Sequence, residues 1–287
     1  MRPGDEVIVV DSASQGDDTR AVSAAAGARY LRCERPGASR ARNAGSQAAR
    51  NPVVAFVDDD VRVSPEWAAA IDRTLEAHPE VDFVAGKLVA GGHGTRWPVS
   101  VKASAAAETF AGSDRADGIG HGANLAVRDR ALLAVGGFDD RLGPGTPLHS
   151  AEDVDLFDRL LAAGFLGRYE PAAAAAHVQW RTGRQRLTVE WTYGVGGGAR
   201  VVKLALRGRD WRRTGVAAGA LFWGWGLRFA FECVVEGRLF LALAAMVRMA
   251  GGVAGVVLAV TTRPWSTRRA EGDGDRSATP GGELLER

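Results

Sequence analysis

The chain has 287 residues, 46% hydrophobic and 24% charged, a composition that excludes collagen-like, disulfide-scaffold and solvated-tail classes and admits one large domain or two smaller ones. Its 36 basic and 34 acidic side chains leave a net charge of +2, which gives no global attraction for nucleic acid. The distribution is uneven: residues 1–180 carry 19 basic and 25 acidic side chains, 181–213 carry 9 and 2, and 214–287 carry 8 and 7. A basic collar thus stands between an acidic body and the C-terminal part. Cys33 and Cys233 are the only cysteines, too few for a disulfide framework and too far apart for a CxxC metal pair, so a reducing compartment is expected. Met1 to Glu6 runs straight into a strand without the features of a secretory signal.

In chain order, Glu6 to Val10 and Val53 to Val57 are short β-branched runs that suit strands buried on both faces. Each ends in aspartate: Asp11 after the first, and Asp58, Asp59 and Asp60 after the second. Helices are expected over Thr19 to Ala26 and Ser39 to Arg50, and a third, opened by Ser64 and Pro65, through Ala77. Val81 to Ala85 and Asn124 to Val127 read as further strands, followed by a helix over Asp129 to Val135. Ser150 then opens a helix whose apolar positions 154, 157 and 161 share a face. This alternation predicts an α/β domain with a mainly parallel sheet over residues 1–200.

Beyond residue 213, Thr214 to Leu227 and Met249 to Thr262 each run 14 residues without a charge. Neither reaches the ~20 residues of a spanning helix. With Phe222, Trp223 and Trp225 near interspersed arginines, residues 201–262 are expected to form helices lying in a membrane interface; a soluble helical subdomain is the alternative. The remainder, 263–287, is polar and expected to be disordered.

The acids carry the chemistry. Ligands of open α/β sheets bind outside the carboxyl ends of the strands. Three adjacent carboxylates there repel one another unless a cation neutralises them, and hard oxygen ligands suit Mg2+ or Mn2+. Such an ion stabilises a diphosphate leaving group; a solvated turn is the plain alternative. Ser150-Ala151-Glu152-Asp153 fits a capping box, which would make Asp153 structural, yet a carboxylate at a helix N-terminus also serves as a general base. His177 follows the small run Pro171 to Ala176 and could complete a metal site or be structural.

At this point the residues resemble glycosyltransferase family 2, the inverting nucleotide-sugar enzymes with the GT-A fold. The resemblance covers about residues 5 to 200 and rests on five segments in order. These are Glu6-Val-Ile-Val-Val-Asp11; Gly37-Ala-Ser-Arg-Ala-Arg-Asn43-Ala-Gly45; Phe56-Val57-Asp58-Asp59-Asp60; Gly120-His-Gly-Ala-Asn124 with Gly136-Gly-Phe-Asp139; and Glu152-Asp153-Val-Asp-Leu156 with His177 beyond it. The resemblance implies sugar transfer from a nucleoside-diphosphate donor to an acceptor hydroxyl. It makes Asp153 the base with Glu152 beside it, Asp11, Asp58, Asp59 and Asn124 donor-binding residues, and Asp60 and His177 the holders of Mg2+ or Mn2+. A glycan or lipid-linked acceptor and a cell-envelope role, at the cytoplasmic membrane face or in the cytoplasm, follow as expectations from the apolar C-terminal region.

One departure stands out. Family members place a further strand and donor-binding loop before the one ending at Asp11, and here five residues precede Glu6. The expectation is a start internal to a longer reading frame, or an inactive fragment, with the sheet split where that strand belongs. A non-catalytic, membrane-associated nucleotide-sugar-binding protein is the rival reading. An aspartate-nucleophile phosphatase is rejected, because Arg62 stands where its pattern needs Thr or Val. The collar, from Trp180 through Arg181, Arg184, Arg186, Trp191, Tyr193, Arg200 and Lys203 to Arg207, Arg209 and Trp211-Arg212-Arg213, is read as facing anionic headgroups rather than nucleic acid.

Overall fold

A computed structural model describes residues 4–92, 100–178, 181, 183–208, 211–263 and 265, with the backbone alone for 207 and 208. Trp180, Arg209 and all of the expected disordered tail except Arg263 and Trp265 lie outside the described residues.

The body runs β1 (Ile8–Ser12), α1 (Asp18–Ala25), β2 (Arg29–Cys33), α2 (Ala38–Ala48), β3 (Val53–Val57), β4 (Val61–Val63), α3 (Trp67–Ala77), β5 (Val81–Gly91), β6 (Glu108–Phe110), β7 (Asn124–Arg128), α4 (Asp129–Ala134), α5 (Glu152–Ala162) and β8 (Leu166–Val178). The helical part follows with α6 (Gly183–Lys203), a π-helical stretch Leu204–Gly208, α7 (Trp211–Ala218), a second π-helical stretch Gly219–Arg228, α8 (Phe229–Val235) and α9 (Leu239–Thr262).

The expected α/β class is found, but the mainly parallel sheet is not. A six-stranded sheet has the order β3-β7-β5-β8-β4, with β6 also on β8. In it only β5 and β8 run parallel; the β3/β7, β5/β7, β4/β8 and β6/β8 pairs are antiparallel. The reason is that β7 returns to the sheet after β6 and loops rather than through a helical crossover, whereas β8, which follows α5, is the strand that runs parallel to β5. β1 and β2 pair in parallel as a separate two-stranded sheet. The two sheets divide between β2 and β3 in chain order.

Alternation along the strands builds two cores. Phe83, Ala85, Leu125 and Val127 point to a layer containing Leu156, Phe157, Leu160 and Leu161 of α5. Val84 and Ala126 point to the opposite layer, where α3 buries Ala70, Ile71 and Leu75. Period-2 strands therefore receive period-3.6 helices on both faces, each fully buried aliphatic side chain contributing ~1.5–3 kcal/mol.

The helical part departs from its expectation. α9 is 24 residues long and, by length and composition, apolar enough to cross a membrane, whereas the charge-free runs suggested shorter pieces. Arg248 interrupts the run in sequence but not the helix, since its guanidinium reaches Glu190 of α6 at 3.4 Å and lies over the rings of Tyr193 and Trp225. α6 was not foreseen: its glycines mask the helical pattern, yet they are what lets it dock. A Cβ on Gly198 would fall 2.0 Å from the Gly252 carbonyl oxygen, and one on Gly255 2.0 Å from that of Val195. The collar is also corrected. Arg186, Arg200 and Lys203 are turned inward onto acids, while Arg184, Trp211 and Arg212 stay exposed.

Replacing Gly198 by Ala should therefore push α6 and α9 apart and cost about 1–3 kcal/mol of stability, read as a lowered unfolding midpoint in full-length protein. An unchanged midpoint would show that the seam yields freely.

Candidate functional site

The site lies where β3, the α5 N-terminus and the end of β8 converge. Asp58, Asp59 and Asp60 form the turn from β3 into β4, and the β4/β8 register pairs Val61 with His177. A backbone bond from Val178 N–H to the Asp60 carbonyl, 2.8 Å, locks that register. His177 Nε2 consequently lies 3.3 Å from Asp60 Oδ2, with the imidazole buried. The sequence-predicted metal pair is thus brought together. A carboxylate and an imidazole make a donor set compatible with Mn2+ or Mg2+, leaving most coordination positions for phosphate oxygens and water. Among the described residues no group of three or more His, Cys, Asp or Glu gathers to hold a metal by itself.

Asp153 occupies the first turn of α5, where a carboxylate is favoured by the helix dipole. Its Oδ2 accepts the Gly122 N–H at 2.9 Å and its Oδ1 the Val154 N–H at 2.8 Å. The capping box does not form. Ser150 Oγ instead donates to the Thr192 carbonyl of α6 at 2.9 Å, and Ala151, in the left-handed region with φ +70°, occupies the N-cap position. Such a conformation is uncommon for a residue with a Cβ and marks a segment held by its surroundings.

Arg42 joins the two halves. From α2 it donates Nη2 to Asp58 Oδ1 at 2.7 Å and Nη1 to Glu152 Oε1 at 3.0 Å. Burial works against its charge, but the two carboxylates raise its pKa above the ordinary arginine value. Glu152 is buried; burial, then the neighbouring Asp153, pushes its carboxyl up to about 6 against the pull of Arg42. Arg42 was not singled out from sequence, although it stands in the Ala41-Arg42-Asn43 segment among motifs otherwise built of acids. His121 was passed over too. Desolvation pushes its imidazole below the usual range while the charge of Asp153 opposes this, and His177 also acts on it.

The donor-side residues fare differently. Asp11 is buried, and the Ser14 backbone N–H, then the Tyr30 hydroxyl, with Arg32 nearby, lower its carboxyl to about 2. Asp59 is exposed. Asn124 is 1% exposed, and its amide is taken up by bonds from Trp67 Nε1 and to the carbonyls of Lys87 and Ala173. In this structure Asn124 ties β7 to β5, β8 and α3.

Residues 1–134 match the family model for glycosyl transferase family 2, a stretch that holds Asp11, the aspartate run and Asn124 and stops before Glu152. The pre-mycofactocin glycosyltransferases of Mycobacterium tuberculosis strains CDC 1551 / Oshkosh and H37Rv are each 34% identical over 151 residues, 49% of this chain and 30% of that protein. The match thus spans less than a third of those relatives. A mannosyltransferase from Pyrobaculum calidifontis, solved with GDP-Man and Mn2+, superposes with a TM-score of 0.52 at 19% identity over 90% of this chain and 78% of that one. S. aureus TarS (1–349) gives 0.51 at 15% over 91% and 83%. At such identities the likeness is one of fold.

Glu152 supplies a pH test. The folded chain binds an extra proton between its ordinary pKa of 4.5 and about 6, so the stability linked to protonated Glu152 is full below 4.5 and lost as pH rises through 6. Thermal unfolding of wild type minus Glu152→Gln, followed from pH 4 to 7.5, should show that decline; a flat difference removes the shift.

Proposed function

We propose that this chain, whose residues 1–134 match the glycosyl transferase family 2 model and whose fold is that of the superposed glycosyltransferases, belongs to that family and transfers a sugar from a nucleoside-diphosphate donor to an acceptor hydroxyl, with inversion. The observation that carries the reading is the Arg42 bridge. One guanidinium holds Asp58, beside the Asp60–His177 pair, and Glu152, beside Asp153. The proposed base and metal-holding residues are thereby linked through their chain neighbours.

In this reading Asp60 and His177 hold Mg2+ or Mn2+, which when bound offsets charge on the departing diphosphate. Asp153 takes the acceptor proton. Its two backbone donors, Gly122 and Val154 N–H, aim the carboxylate and leave its remaining lone pairs for the hydroxyl. Glu152, paired with Arg42, fixes the turn from which Asp153 projects. Asp11, Asp58 and Asp59 line the donor side, and Asn124 acts from beneath by fixing β7. The Mn2+ and GDP-Man of the Pyrobaculum structure support this choice of metal and donor class.

Asp153→Asn should lower transfer by ~10^3-fold or more while donor binding stays near wild type. Donor hydrolysis and transfer over a panel of UDP-, GDP- and dTDP-sugars with Mn2+ provide the assay, and calorimetry the binding; wild-type turnover in the variant removes Asp153 from the role.

The same reading assigns the helical part to a membrane surface, at the cytoplasmic face, with a glycan or lipid-linked acceptor. It is supported by a run of exposed apolar side chains: Trp211, Trp223, Trp225, Phe231, Val235 and Leu239 are each 52–70% exposed, more than an aqueous surface ordinarily presents in one region. Full-length protein should float with liposomes, and Trp223→Ser/Phe231→Ser should reduce the floated share several-fold; equal flotation sinks the assignment.

A further inference from the structure

α6 packs against α9, and its inner face meets both the segment just ahead of α5 and the body of α5. Ahead of α5, Ser150 Oγ bonds the Thr192 carbonyl, and Gly196 leaves no space, a Cβ there falling 2.1 Å from Ser150 Oγ and 2.5 Å from the Ser150 backbone. Along α5, two acids three residues apart, Asp155 and Asp158, meet two cations three residues apart on α6. Arg200 Nε is 2.6 Å from Asp158 Oδ2 and its Nη1 2.7 Å from Asp117 Oδ1. Lys203 Nζ contacts Asp155 Oδ1 and lies 2.7 Å from Asp139 Oδ2.

These groups are buried: Lys203 is 4% exposed, Asp155 3% and Asp158 5%. Trp265, from beyond α9, donates its indole N–H to the same Asp139 at 2.8 Å. Asp139 follows Phe138, whose backbone N–H and carbonyl both bond Asn43 of α2. α6 therefore ties together α5, the Asp117 turn and the Asp139 loop. Buried ion pairs contribute little net stability compared with apolar packing, and their attested use is to fix one arrangement among several.

We infer that Lys203 and Arg200 are positioning residues for Asp153: through Asp155 and Asp158 they set the height and rotation of α5, and so the point from which the carboxylate reaches the cleft. Most of α6 falls within the residues 1–200 that the sequence assigned to the α/β domain, and on this account its basic residues serve that domain rather than an outer surface. The inference rests on the reading of Asp153 as base, but the placement of its carboxylate is measurable without turnover, because the Gly122 N–H donates to it across the cleft.

The experiment uses the full chain. Hydrogen exchange is followed in peptides covering Gly122 and α5, alongside donor hydrolysis of UDP-glucose and GDP-mannose with Mn2+. In Lys203→Met, exchange at Gly122 should quicken about tenfold, with kcat down about ten- to a hundredfold and donor KM unchanged well below the unfolding midpoint. Lys203→Arg should recover most of both. Ser150→Ala, which keeps every charge, should show the same changes to a smaller degree and serves if Lys203→Met does not fold. Wild-type exchange at Gly122 in a folded Lys203→Met protein overturns the inference. If wild type hydrolyses neither donor while the exchange changes appear, positioning stands and the transfer reading is what fails.

Discussion

The guanidinium of Arg42 sits between Asp58 and Glu152, and the arrangement of the cleft depends on it. Asp58 to Asp60 and Glu152 to Asp153 bring five carboxylates into one region, and like charges so close cannot all stay ionised without a counterion. A fixed cation from α2 takes one acid from each set. Burial and the neighbouring Asp153 still push the Glu152 carboxyl up against the pull of Arg42. With that pair joined, the β3–β4 turn faces the α5 N-terminus, and the β4/β8 register delivers His177 to Asp60.

The same logic recurs deeper in the molecule, with α6 as donor of cations. Part of the basic excess of 181–213, Arg200 and Lys203, is buried against acids of residues 1–180, while Arg184 and Arg212 stay on the surface. Burial alone would push the Asp139 carboxyl up, yet Arg141 and Lys203 hold it well below its ordinary range. Glycines on the outer side of α6 admit α9 to backbone contact, so the helix is bonded to the catalytic body on one face and to the apolar helices on the other. α9 is thereby connected through α6 to Ser150, just ahead of the α5 turn that carries Asp153.

Much of the body was legible because its signals are local. Val53 to Val57 is a strand at the positions read, and the helices around Ser39, Trp67 and Asp129 differ only at their ends. β8 was missed because its alanines carry weak strand propensity; it is a strand because it is buried between β5 and β4. The Ser150 capping box failed for a similar reason: Ser150 is held by the Thr192 carbonyl of a helix 42 residues away, and Ala151 takes the N-cap position instead. Asn124 stood in the right motif, but its neighbours consume its amide.

The sequence by itself determined the order of the acids, the strands that end in them and the charge contrast between body and collar, since these depend on neighbours along the chain. Only the tertiary structure decided which charges meet. Arg42 reaches Glu152, His177 reaches Asp60 and Lys203 reaches Asp139 and Asp155 across long stretches of chain. Those meetings are fixed by strand register and by how closely glycine-faced helices can approach, and neither is carried by any one segment alone.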